Sequence, residues 1–176
     1  MAAKIKIYNS LILSHLNYGI LVWGFKNSKI LKLQKKAIRI ICSKKSNAHT
    51  DPLFKNLKLL KLNDIFTISK FKFYHKYINN KLPDNLQKLP LQLNQEIHQY
   101  NTRQSRNIYT PRFHHSYAKN CIRFDLPSTI NTAPLHIQNK IYTHSIQGLA
   151  NYMKNYYLQN YQESCVIANW YICNNE

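Results

Sequence analysis

Nine basic side chains are grouped in ways that suit one kind of chemistry, the binding of phosphate. Lys29, Lys32, Lys36 and Arg39 fall at steps of three and four, and Lys44 and Lys45 follow. Residues so spaced share one face of a helix, where like charges repel mildly until an anion relieves the cost. Arg103, Arg106 and Arg112 form the second group. They lie in a stretch, 98–123, where His98, Tyr100, Tyr109, His114, His115, Tyr117 and Arg123 interleave rings with charge. Arg grips phosphate in a bidentate way, and aromatic rings stack on unpaired bases. A solvated loop whose tyrosines pack on helices is the competing reading of this stretch, and both stay open.

Other chemistries find little support. Two-metal phosphoryl transfer needs carboxylates gathered around Mg²⁺. The seven acids are Asp51, Asp64, Asp84, Glu96, Asp125, Glu163 and Glu176, and no two are neighbours. No Asp or Glu is followed two positions later by Lys, as the end of a restriction-type nuclease motif requires. Cys42, Cys121, Cys165 and Cys173 include no Cys-x-x-Cys pair, and His114, His115, His136 and His144 complete no zinc-finger spacing. Gly19, Gly24 and Gly148 are too far apart for a phosphate-cradling loop. No catalytic residue, cofactor or metal site is therefore expected, and the chain alone is not expected to be an enzyme.

The elements that must carry the basic groups come next. The chain has 176 residues, 44% hydrophobic and 12% aromatic, enough for a core. Its formal net charge is +18, and residues 26–81 hold 15 bases against Asp51 and Asp64. Such a block is the electrostatic footprint of a polyanion-binding surface. The competing reading is a solubilising face enriched in Lys by AT-rich coding; nucleic-acid contact is placed ahead of it. Scattered cysteines favour a reduced intracellular setting, nuclear or cytoplasmic. No window reads as a membrane span or a clean signal peptide, so no membrane partner is expected.

Apolar periodicity predicts a buried helix over Ile5–Trp23, stopped by Gly24. Asn27 or Ser28 caps a second helix running to about Cys42, with Ile30, Leu33, Ala37 and Ile41 as its apolar stripe. Thr50-Asp51-Pro52 starts a short helix, with a capping side chain, that ends near Lys58. Asn63 or Asp64 opens another to about Asn79, packing through Ile65, Ile68, Phe71 and Tyr74, with Lys70, Lys72 and Lys76 outside. Residues 91–115 read as loop with room for a short strand. Tyr117–Ile130, interrupted by Pro127, is ambiguous between helix and strand. Residues 136–161 return to helical spacing through Ile137, Ile141, Ser145, Leu149, Tyr152 and Tyr156. The expected fold is mainly α: a helical, thumb-like bundle with an irregular Arg/aromatic loop region and a C-terminal helix. Its parts are a basic helical region 1–81, a loop-rich connector 82–135, the helix 136–161 and a tail 162–176.

An ordered series of segments carries a family likeness. Tyr8-Asn9-Ser10-Leu11-Ile12, His15-Leu16-Asn17-Tyr18-Gly19-Ile20 and Trp23-Gly24 come first. Leu33-Gln34-Lys35-Lys36-Ala37-Ile38-Arg39-Ile40-Ile41, His49-Thr50-Asp51-Pro52-Leu53-Phe54 and Tyr100-Asn101-Thr102-Arg103 follow. Together, over roughly residues 5–160, they resemble the region downstream of the polymerase palm in jockey-type non-LTR retrotransposon reverse transcriptases. The resemblance implies an RNA-directed DNA polymerase whose fingers and palm, with the paired aspartates, would lie upstream of Met1. This chain would then be the thumb and C-terminal portion. The family's helical thumb grips the template–primer backbone, and Lys29, Lys32, Lys36 and Arg39 match its basic helix. RNA or DNA is the expected partner. A helical interaction module docking on an acidic protein, or on the missing polymerase domain, is the alternative.

Overall fold

Helices form wherever the apolar period is long enough, and they account for nearly all the regular structure. The computed structural model describes residues 2–24, 27–98, 100, 102–112 and 121–161. His114, His115, Tyr117, Cys165, Cys173 and the tail 162–176 lie outside them. The mainly α expectation holds: among the described residues there is no sheet, only one isolated antiparallel bridge between Leu93 and Ile108. The chain divides into two compact units, Met1–Ile68 with Asn151–Glu176, and Ser69–Ala150.

The first unit begins with α1 (Ala2–Ile7), which passes through a π-helical turn (Tyr8–Leu13) into α2 (Ser14–Asn17). The single helix predicted over Ile5–Trp23 is therefore broken. Gly19 takes a left-handed φ of 58°, and α3 (Ile20–Trp23) starts afresh. Nor is the stretch buried all round: Tyr8, Leu16 and Ile20 are inside, while Ile7, Leu11, Tyr18 and Val22 face solvent. Gly24 ends α3 as predicted. A Cβ there would meet the Ile20 carbonyl at 2.5 Å and the Phe66 ring at 2.7 Å, so only glycine lets the chain pass.

Helix α4 (Ser28–Ile41) starts where its cap predicts, with Asn27 Oδ1 accepting from the Ile30 amide. α5 (Asp51–Asn56) has Pro52 in its first turn, but Thr50 makes no side-chain cap, contrary to expectation. Thr50 is itself buried. Three helices close with a non-glycine residue at positive φ: Ser43, Lys58 and Asn80. In each case the next amide reaches back to close the last turn, Lys44 to Arg39, Leu59 to Phe54 and Lys81 to Lys76.

Helix α6 (Leu62–Ile78) begins in the first unit and ends in the second. Its predicted packing residues Ile65, Ile68, Phe71 and Tyr74 are buried. Phe66, Phe73, Lys70 and His75 are buried too, so the helix is covered on most sides. The expectation that Lys70 lies outside is corrected: its ammonium is 2.5 Å from the Asp125 carboxylate and donates to Thr129 Oγ1 at 2.9 Å. Desolvation lowers its pKa, opposed by Asp125.

The second unit continues with α7 (Asp84–Gln87), α8 (Asn94–Ile97), α9 (Ile122–Asn131) and α10 (Leu135–Thr143). The ambiguous Tyr117–Ile130 stretch resolves, where described, as helix α9, with Pro127 buried inside it. Residues 136–161 are not one helix. α10 ends at His144, whose backbone is extended, and α11 (Ile146–Asn160) starts after it. Ser145, read as part of the apolar face, is exposed in this break, and its hydroxyl accepts from the Gly148 amide.

α11 returns the chain to the first unit, where Tyr161 fixes its end. The Tyr161 hydroxyl accepts from the Lys61 amide at 2.9 Å and donates to Asp64. Its ring lies edge-on to Phe54, under the Lys61 ammonium. Burial, then the Asp64 charge, raises the Tyr161 pKa. Burial raises Tyr8 and Tyr74 as well, and pushes Tyr157 up to about 12. A phenol whose pKa is higher in the folded state contributes stability that is intact below its unfolded pKa. That contribution is lost as pH rises through the folded pKa. Urea melts at graded pH should therefore show stability falling steeply above about pH 10. Phenolate absorbance of these tyrosines should appear only with unfolding.

Candidate nucleic-acid interface

On α4 the inward face is Gln34, Ile38 and Ile41, all buried. Gln34 is the polar centre of this packing and was not singled out by sequence. Its Nε2 donates to the Tyr8 hydroxyl and to the Leu60 carbonyl, both at 2.9 Å. Its Oε1 accepts from the Leu62 amide at 2.8 Å, serving an N–H that α6 cannot satisfy at its own start.

This rotation of α4 leaves Lys29, Lys32 and Lys36 exposed along one face, roughly 10 Å from first to last at 1.5 Å per residue. Lys44 and Lys45, just past the helix end, are also exposed. Among the described residues none of these five forms an ion pair. Arg39 differs. It is half-buried, and its Nε donates to the Ala48 carbonyl at 2.8 Å, tying the 43–48 turn to the helix. The same rotation exposes Leu33, which the apolar period places on the packing face, and Ile40. The outward face is thus lysine interleaved with aliphatic side chains.

Three of the acids are occupied elsewhere. Asp51 pairs with Lys61 at 2.9 Å, Asp64 accepts from Tyr161, and Asp125 pairs with Lys70. Folding does bring Asp51 close enough to act on Asp64, whose pKa is raised by burial, with that charge the smallest contribution. Tyr161 and Lys61 oppose the rise. Among the described residues no three His, Cys, Asp or Glu gather as a metal site. Cys42 is half-buried at the end of α4, and Cys121 is exposed.

In the second unit Arg103, Arg106 and Arg112 are exposed on a loop that is firmly built. The Leu93–Ile108 bridge is flanked by backbone bonds from Asn94 to Asn107, Gln95 to Ser105 and Tyr109 to Gln92. Asn131 on α9 holds both sides of Ile108, accepting from its amide at 3.0 Å and donating to its carbonyl at 2.7 Å. Asn94 Nδ2 adds a bond to the Gln104 carbonyl. Ile108 is buried. The described residues 102–109 are therefore held in place, and Tyr100 and Tyr109 are exposed, not packed as anchors. The clamp by Asn131 is invisible locally, because nothing in the 98–112 sequence names a distant amide.

No protein-family model, curated protein or solved structure matches the chain. Among the described residues no helix is long and apolar enough to cross a membrane.

Proposed function

We propose that this chain is a nucleic-acid-binding piece of a jockey-type reverse transcriptase, gripping a template–primer backbone without itself carrying the polymerase palm. The observation that carries the reading is the row of exposed lysines, Lys29, Lys32 and Lys36 with Lys44 and Lys45, without ion pairs among the described residues. Point charges on flexible stems suit sequence-independent phosphate contact. The ordered likeness of its segments to that family supports this reading of the parent enzyme. The chain's own chemistry is taken to be binding, because Asp51, Asp64 and Asp125 are engaged with Lys61, Tyr161 and Lys70. Such a protein would act where its template is, in nucleus or cytoplasm.

Salt titration of binding to duplex and hybrid oligonucleotides tests this. Affinity should fall linearly in log–log form, by roughly 0.7–0.9 in slope per phosphate neutralised. Replacing Lys29, Lys32 and Lys36 with Gln should flatten the slope by about 2–3. At moderate salt it should weaken binding about ten- to a hundredfold, alike for all sequences. Affinity that stays flat as salt rises overturns the proposal.

One observation favours a second reading. An apolar groove of about 330 Å³ in the first unit is lined by Ile7, Tyr8, Ile12, Ala37, Ile40 and Ile41, with Lys4 at its edge. Residues 1–50 contain ten Lys or Arg and no acid. An amphipathic helix with acidic flanks would complement such a groove. A docking module of that kind would bind an acid-flanked peptide in preference to an oligonucleotide.

A further inference from the structure

We infer that the second unit holds a pocket for one unpaired nucleotide of a single strand, built by Tyr100, Gln104, Asn107, Tyr109 and Arg112. The inference rests on the nucleic-acid reading above and adds a site and a strand preference to it. The cavity has a volume of about 420 Å³, within the ~300–1,000 Å³ usual for small-molecule pockets.

Its lining has the parts a nucleotide needs. Tyr100 is 81% exposed, a ring held out toward solvent with no packing role of its own. Tyr109 supplies a second ring. A base has two faces and stacks on such rings whatever its sequence. Gln104 and Asn107 each offer a donor and an acceptor, the combination that reads the hydrogen-bonding edge of a base. Among the described residues these two side chains take no hydrogen bond, whereas Asn94 and Asn131 are spent on holding the loop. Arg112 brings a guanidinium to the same cavity, suited to the phosphate beside the base. Among the described residues no carboxylate lines it, so a cationic ligand finds no counter-charge from them.

The scaffold makes the pocket selective. The bridge at Leu93 and Ile108 and the Asn131 clamp hold the Ile108 side of the pocket before ligand arrives. Little ordering is then required on binding. A base inside a duplex is stacked and paired and cannot enter a concave pocket without being extruded. A single strand presents its bases freely.

The test uses the full chain with three probes: a single-stranded oligonucleotide, a hairpin duplex of the same composition, and a nucleoside monophosphate. Tyr100→Ala and Asn107→Ala should each weaken single-strand binding, Tyr100→Ala by roughly tenfold, and leave duplex binding unchanged. The salt slope of Tyr100→Ala should stay as in the unaltered chain, because no charge is removed. Thermal melts confirm that the variants fold. Equal effects on single strand and duplex, or no effect on either, overturn the pocket. So does a nucleoside monophosphate that binds as tightly as the oligonucleotide, since the site would then serve a free metabolite. If the lysine variants still weaken duplex binding while Tyr100→Ala does nothing, the pocket fails and the backbone-gripping reading stands. If no probe binds with a salt dependence, both fail.

Discussion

Asp125→Asn should destabilise the protein by about 3–5 kcal/mol, the usual result of removing one partner from a buried ion pair. The shape of the side chain is nearly kept, so the loss reports charge. Lys70 would keep Thr129 and meet a neutral amide in place of the carboxylate, its ammonium still only slightly exposed. The Asp125 contacts that oppose the lowering of the Lys70 pKa would be gone, and it would drop further. The sign of the pH dependence follows. A base with a depressed pKa in the folded state binds fewer protons than in the unfolded state, so stability rises with pH across that window. The deficit of Asp125→Asn, measured by urea unfolding, should shrink as pH rises toward the ordinary lysine pKa of about 10.4. A deficit that stays constant over that range would mean that packing around α9, and not the charge, sets the loss.

Gln34→Leu should cost a comparable amount, about 3–5 kcal/mol, although it makes the residue more hydrophobic in a buried place. Three groups lose their partner at once: the Tyr8 hydroxyl, the Leu60 carbonyl and the Leu62 amide. Each buried polar group left bare costs about 1–3 kcal/mol. Lys32→Gln, two residues away on the exposed face, should stay within about 0.5 kcal/mol. Chemical denaturation of the two variants side by side checks the contrast. Equal stability would show that water replaces the glutamine.

These two residues also mark where the sequence could be read and where it could not. Helix α4 was legible in its limits because its cap and its apolar period act within one turn, through Asn27 and the Ile30 amide. Gln34 sits in the same helix, yet its burial depends on Tyr8, Leu60 and Leu62, which no local period names. The apolar stripe was accordingly set off by Leu33, which is exposed while Gln34 is inside. Lys70 was assigned outside for the same reason: its partner Asp125 lies on another helix. In the Arg loop the residue types were legible, and the fixed geometry was not, since it comes from Asn131 and from backbone pairing. The break at His144 was hidden because Ser145 happens to continue the apolar spacing of its neighbours.

The position of Tyr161 has a consequence for the chain as it is made. The lysine face of α4 is complete in sequence by residue 45, but the unit that holds it takes its last helix, α11, from beyond residue 150. Between them the whole second unit must be synthesised. A nascent chain that stops anywhere in that interval has its phosphate-binding residues but lacks the Tyr161 ring against Phe54 and its hydroxyl on Lys61 and Asp64. The fold thus withholds a finished basic surface until translation has passed residue 161, and a premature stop or frameshift leaves a product marked by an open core.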